Sequence, residues 1–319
     1  MVRVKRFRSA APAGSLAGSR RLQWVAMASQ LAATATAEPT DKFVTLDGLK
    51  LHYLDWGVDP AKGTIVLVHG GSANLHWWDL AAPQLTAGGR VLALDFRGHG
   101  LSQWAVPPHY GPAGYIKDVE GFLRFVGSPV LLVAHSMGGA VAMWVAAMHP
   151  ELLEGLVVVD SRGGPPPFWR KLQWRWRHRA KGRPRPELPS KQDIIRRFRL
   201  HPEGTYLSDQ ALAELGVKSA VQLPNGKWAF CFDPQTRGWR QSGTVRLPSV
   251  RHVKVPTLIL RGAQSTLLSP WRARRLRRKI KGSVYEEIPR AFHHVPLDNP
   301  AATAAAIIEF VEKRGIGAE

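Results

Sequence analysis

The stretch VLLVAHSMGGAVAMWVAAMHP, Val130 to Pro150, decides how this chain is to be read. Val130 to Ala134 is a short, unbroken apolar run of the kind a fully buried strand requires, and Ala140 to Met148 is rich in helix formers. The backbone therefore passes from strand to helix at Ser136. Gly138, Gly139 and Ala140 leave almost no side-chain bulk around that turn. A helix can then start hard against a sheet, with the unpaired N–H groups of its first turn facing whatever lies beside the serine hydroxyl. A buried serine in a glycine-rich turn would look the same locally, so the rest of the chain has to decide between the two.

Outward from this junction the same grammar recurs. Apolar runs without alternation stand at TIVLV (64–68), RVLAL (90–94), PVLLV (129–133), GLVVV (155–159) and PTLIL (256–260), most of them separated by stretches long enough for a helix. Such runs are what a parallel sheet covered on both faces demands. Before them, FVTLDGLKLHYLDWG (43–57) alternates in polarity around Asp47-Gly48, an N-terminal hairpin signal. In sheets of this type ligands bind beyond the carboxyl ends of the strands. The polar residues stand there: His69-Gly70-Gly71-Ser72, Asp95, His135-Ser136, Asp160, and Arg261-Gly262. The expected fold class is thus α/β, a mostly parallel central sheet flanked by helices. Residues 41–161 and 246–319 form its core, and residues 162–245 form an inserted, mostly helical lid. The insertion opens with Gly163, Gly164 and three prolines, continues as FWRKLQWRWRHRAKGRPRPE, and carries helical portions near Lys191–Arg199 and Ser208–Leu215.

The formal charge of +20 suggests an anionic partner, but the charge is local. Residues 1–37 hold six basic side chains and no acid; Arg162 to Arg199 holds thirteen against Glu187 and Asp193; Arg272 to Lys281 holds seven against none. Outside these three segments the chain is slightly acidic. Nucleic-acid binding is therefore a minor reading, although the Trp/Arg interleaving at 169–179 matches the stacking platforms of single-strand binders. No apolar run reaches the roughly 18 to 20 residues of a membrane span. The single cysteine, Cys231, excludes an intrachain disulfide and a Cys-based zinc cluster, and reads as a buried inert thiol. Residues 1–40, basic, Ala/Ser-rich and without acid until Glu38, read as a leader or extension. A transit-like peptide, an unstructured extension before an internal start at Met27, and, ranked below these, a twin-arginine signal on SRRLQW all fit. The expected location is cytoplasmic, or organellar or exported if the leader is a targeting peptide.

Several ordered motifs now give a specific resemblance. HGGS (69–72), DFRGHGLS (95–102), AHSMGG (134–139), LRGAQSTLLSP (260–270) and HHVPLDNP (293–300) succeed one another as they do in the α/β-hydrolase family, which the chain resembles from about Phe43 to its C-terminus. The resemblance implies a serine nucleophile at Ser136, activated by a histidine base. His293 is the expected base, with the adjacent His294 as the one-residue alternative. It further implies an oxyanion hole from the backbone N–H groups of Gly71 and Met137. The acid is the departure: Thr266 stands where the family usually carries an aspartate, so Asp160, at the end of the preceding strand, is the expected third member, with Asp95 assigned to holding its own turn. Trp77, Trp169 and His135 are the expected substrate-binding residues, in a pocket completed by aromatic side chains of the lid. His69 and His99 are expected to be structural. The implied activity is hydrolysis of a small-molecule ester or acyl substrate without metal or organic cofactor. Carbon–carbon bond hydrolysis of a ring-cleavage product and a non-catalytic ligand-binding role are the alternatives. Oligomeric state is not legible in the sequence.

Overall fold

The computed structural model describes residues 38–57, 62–127, 129–163, 185–238 and 247–317. The basic N-terminal segment and the most Trp/Arg-rich part of the insertion, including Trp169, lie outside these residues, as does part of the boundary between core and insertion.

In chain order the main elements are β1 (Thr40–Leu46), β2 (Leu49–Asp55), β3 (Thr64–Val68), β4 (Arg90–Leu94), α1 (Pro112–Val126), β5 (Val130–His135), α2 (Met137–Met148) and β6 (Leu153–Val159). The excursion contributes α3 (Lys191–Arg197), α4 (Asp209–Lys218), β7 (Ala220–Gln222) and β8 (Trp228–Phe230). The core then closes with β9 (Thr257–Gly262), α5 (Pro270–Lys279), β10 (Val284–Ile288) and α6 (Pro300–Arg314). Eight strands make one sheet in the order β1-β2-β4-β3-β5-β6-β9-β10. β1 and β2 pair antiparallel, as do β2 and β4, and every other neighbour is parallel.

The apolar runs are continuous because both faces of the sheet are covered. In β3, Val66 and Val68 face the layer that holds α1, α2 and Leu276 of α5, whereas Ile65 and Leu67 face the layer that holds Leu75, Trp78 and α6. β5 divides the same way, with Leu132 and Ala134 on the first face and Leu131 and Val133 on the second. A strand with two dry faces has no position at which a polar residue is cheap, so the period-2 polarity signal vanishes. Only β1, at the sheet edge, keeps a mostly exposed pattern. Among the described residues no helix is long and apolar enough to cross a membrane.

The excursion is tied to the core rather than free of it. Phe198, Leu200 and Leu215 pack with Ala73, Trp77 and Leu297 in a separate apolar cluster, and Asp233 N–H donates to Gly98 C=O at 2.8 Å. The short β7–β8 hairpin turns at the Asn225-Gly226 pair, so the segment is not wholly helical and the pair acts as the turn signal its chemistry suggests.

Candidate active site

The strand-to-helix turn at Ser136 carries real backbone tension. Ser136 sits at φ 53°, ψ −112°, a region that a residue with a side chain rarely adopts. Its neighbours hold it there. Ser136 N–H donates to Val159 C=O at 2.9 Å, and Ser136 C=O accepts from Ala140 N–H at 3.2 Å, so the residue is fixed to β6 on one side and caps α2 on the other. The glycines are dictated by close approach: a Cβ at Gly138 would fall 2.5 Å from His69 C=O, and one at Gly139 would fall 2.7 Å from Ser161 Cβ. The hydroxyl is consequently lifted to the rim of the sheet at the carboxyl end of β5.

Two other strand ends converge on it. His293 Nε2 lies 3.0 Å from Ser136 Oγ, and His293 Nδ1 lies 2.8 Å from Asp160 Oδ1. Because an ionised carboxylate only accepts, Nδ1 carries the proton and Nε2 offers its lone pair to the serine hydroxyl. Asp160 is wholly buried. Its charge is met by three donors: His293 Nδ1–H, Gly262 N–H to Oδ2 at 3.0 Å, and Ser265 Oγ–H to Oδ1 at 2.7 Å. The Asp160 backbone, itself at φ 44°, is held by its N–H on Leu260 C=O at 2.8 Å. Thr266 is exposed to solvent, whereas Ser265, one residue earlier, is buried against the carboxylate. The β9 loop thus offers a hydroxyl donor to an acid on β6, in the region where the family pattern usually places the acid itself.

The neighbouring imidazoles are chemically different from His293. His135 Nε2–H donates to His293 C=O at 2.9 Å, and burial together with the adjacent His293 and His294 rings pushes its pKa well below the usual histidine range. His294 donates to Pro202 C=O at 3.2 Å, and burial, reinforced by His293, takes it down to about 3. Among the described residues neither ring meets a carboxylate. His69 accepts from Phe96 N–H at 3.1 Å and is held neutral by complete burial, as is His99, pushed down to about 3. Asp95 accepts from Leu75 N–H, Leu101 N–H and His52 Nδ1, and so fixes the turn after β4 rather than facing Ser136.

Gly71 lies against Met137, with its Cβ direction 3.4 Å from Met137 Sδ. The N–H of Met137, the first residue of α2, has no intrahelical acceptor, and among the described residues neither it nor the Gly71 N–H meets a backbone acceptor. A cavity of about 170 Å³ opens in front of these groups, lined by Gly71, Trp77, His135, Ser136, His293 and His294 from the core and by Arg197 to His201, Phe230, Cys231 and Phe232 from the excursion. Cys231 is buried and accepts from Asn74 Nδ2 at 3.3 Å; burial raises its thiol to about 12, so it stays protonated. Sequence reasoning misses the contacts of Ser265 and Gly262 with Asp160, and the place of Arg197–His201 at the cavity. A polar residue in a strand-end loop is the signal that could have found Ser265, but the family pattern points to Thr266 instead.

The chain matches the model of the alpha/beta hydrolase family over residues 65–306. It belongs to that family. Among curated relatives, this alpha/beta hydrolase is 27% identical over 304 residues to a 2-hydroxy-6-oxo-6-(2'-aminophenyl)hexa-2,4-dienoic acid hydrolase of Metapseudomonas resinovorans, covering 90% of this chain and 96% of that one. It is 29% identical over 270 residues to an sn-1-specific diacylglycerol lipase of Mus musculus, covering 79% and 82%. An alpha/beta hydrolase from Novosphingobium aromaticivorans superposes with a TM-score of 0.71 at 25% identity, covering 87% of this chain and 99% of that one. The curated relatives that the chain matches are hydrolases, with a dienoic acid hydrolase, a lipase and an esterase among them.

Proposed function

We propose that this alpha/beta hydrolase is a serine hydrolase of carboxylic esters or related acyl substrates, working through Ser136, His293 and Asp160 and an acyl-enzyme intermediate. The observation that supports this reading most strongly is the continuous hydrogen-bonded chain from Ser136 Oγ through His293 to Asp160. As the hydroxyl attacks the substrate carbonyl carbon, His293 Nε2 takes its proton, and Asp160 stabilises the imidazolium that forms. The carbonyl oxygen becomes an anion, received by the N–H groups of Gly71 and Met137. Collapse of the tetrahedral species breaks the ester C–O bond; His293 returns the proton to the departing alkoxide, and the acyl group stays on Ser136. Water, deprotonated by the same Nε2, then releases the acid and restores the hydroxyl. The segment 162–245 serves as the lid, contributing Phe198, Leu200, Phe230 and Phe232 to the wall of the acyl pocket, with Trp77 opposite.

The test is a pre-steady-state burst of p-nitrophenol from a short-chain ester. A burst near one equivalent per active site supports the acyl-enzyme, and turnover that persists undiminished in a folded Ser136→Ala variant contradicts it. The dienoic acid hydrolase relative favours a second reading, carbon–carbon bond hydrolysis of a ring-cleavage product, in which the same serine and histidine would act on a ketone rather than an ester. Relative kcat/KM on the two substrate types separates these readings.

A further inference from the structure

We infer that the cavity is built for an ester carrying an anionic group remote from the scissile carbonyl, and that Arg197 and Arg199 bind that group. The inference rests on the hydrolase reading above and adds a substrate class to it. Five consecutive residues, Arg197 to His201, line the same cavity as Ser136 and His293. No aspartate or glutamate appears among its described lining residues, whereas Arg197 and Arg199, both exposed to solvent, do. Arg196, one position away, spends its charge on Asp193 at 2.6 Å, but among the described residues neither Arg197 nor Arg199 pairs with a carboxylate. Arg199 Nη1 donates to Phe198 C=O at 2.6 Å.

The backbone that carries them is fixed. Phe198 N–H donates to Ile194 C=O at 2.8 Å, and the buried Phe198 ring packs edge-on to Trp77 at 6.1 Å and against Phe230 at 6.2 Å. Leu200 is buried in the same cluster. Anchoring Phe198 and Leu200 sets Arg197 and Arg199 at the cavity wall. A purely apolar acyl chain gains nothing from two arginines at the cavity mouth that have no carboxylate partner among the described residues, whereas a carboxylate or phosphate within their reach accepts charge-assisted, bidentate hydrogen bonds. The aromatic wall and the cationic segment together describe an amphiphilic ligand: a short apolar stretch between the reacting ester and a terminal anion.

The test compares matched esters on the full-length protein. The pairs are monomethyl adipate with methyl hexanoate, where the anion is on the acyl side, and O-butyryl glycolate with O-butyryl glycolamide, where it is on the alcohol side. The expected result is a preference of about tenfold or more in kcat/KM for the anionic member of at least one pair. That pair identifies the side on which the anion sits. The ratio falls toward one in an Arg197→Gln/Arg199→Gln variant, and in the wild-type protein it shrinks when salt is raised to about 0.5 M. Because each ratio is taken within one enzyme, partial loss of folded variant does not mimic the effect, and the wild-type ratio stands without any variant. Equal or better hydrolysis of the neutral member of both pairs, or a ratio unchanged by the double substitution, overturns the inference. If instead no ester is hydrolysed and a fluorophosphonate fails to label Ser136 in the folded protein, the hydrolase reading itself falls, and the inference with it.

Discussion

Replacing Asp160 by Asn removes the charge while keeping the shape, and the surroundings of the carboxylate set the consequence. Oδ1 accepts from His293 and Ser265, and Oδ2 accepts from Gly262 N–H. A carboxamide has only one accepting oxygen. If that oxygen takes the Oδ1 position, its NH₂ is driven against Gly262 N–H, two donors about 3 Å apart. If it is flipped, the NH₂ meets His293 Nδ1, which must then accept; the ring proton moves to Nε2, and the base facing Ser136 is lost. Both arrangements also remove the charge that stabilises the imidazolium. The expected loss in kcat is about 10⁴-fold, or roughly 5.5 kcal/mol on the barrier, with a much smaller change in KM because Asp160 does not line the cavity. Steady-state kinetics on a short-chain p-nitrophenyl ester, with a thermal melt to verify folding, measure it. Thr266→Asp does not rescue this variant, since Thr266 is exposed to solvent. A folded Asp160→Asn enzyme within about tenfold of the wild-type kcat would refute the role given to this carboxylate.

Ser265→Ala leaves Asp160 with two donors instead of three and removes an acceptor used by Leu267 N–H and Leu268 N–H. A fall in kcat of about tenfold, roughly 1.4 kcal/mol, is expected with KM nearly constant, and Ser265→Thr should recover most of it; kinetics on the same ester decide. Gly138→Ala places a methyl 2.5 Å from His69 C=O. It should destabilise the fold by about 2–3 kcal/mol, read as a lowered midpoint in urea, and depress activity by shifting the His69–Gly71 loop. In the β1–β4 corner, burial works against the Asp55 charge, but Arg90 and Lys42 outweigh it and hold the carboxyl down at about 2. A depressed carboxyl contributes stability above the unfolded value near 3.8 that is lost as pH falls toward about 2. Asp55→Asn should therefore cost roughly 1–2 kcal/mol at pH 6, and the gap to wild type in denaturant melts should narrow by pH 2.5.

The parallel sheet is legible in the sequence because its strands are dry on both faces and so read as unbroken apolar runs. β3 and β4 lie at the residues expected, while β5, β6 and β9 are longer at their ends, where His135, Leu153 and Gly262 extend the ladders. The rim is legible for a related reason: polar residues that come after buried strands have few places to go but the sheet edge, and that logic picks out Ser136 and Asp160. Side-chain direction within a loop is another matter, because it is set by contacts from distant segments. Ser265 and Thr266 are neighbours with similar hydroxyls, yet one is buried against Asp160 and the other exposed. His293 is set apart from His294 in the sequence by a one-residue difference in spacing; in the structure they are distinguished by which ring reaches a carboxylate. Lys191–Arg199 reads as a helical portion of the insertion, but the helix ends at Arg197, and the anchoring of Phe198 against Trp77 brings Arg197–His201 to the cavity.

The most direct measurement is reaction of the native protein with a fluorophosphonate, and then peptide mass spectrometry of the adduct. A single adduct on Ser136, formed at a rate that collapses in His293→Ala and falls steeply in Asp160→Asn, is the predicted result. A folded protein that takes up no label, or one labelled at Ser136 equally fast after His293 is removed, would contradict the account.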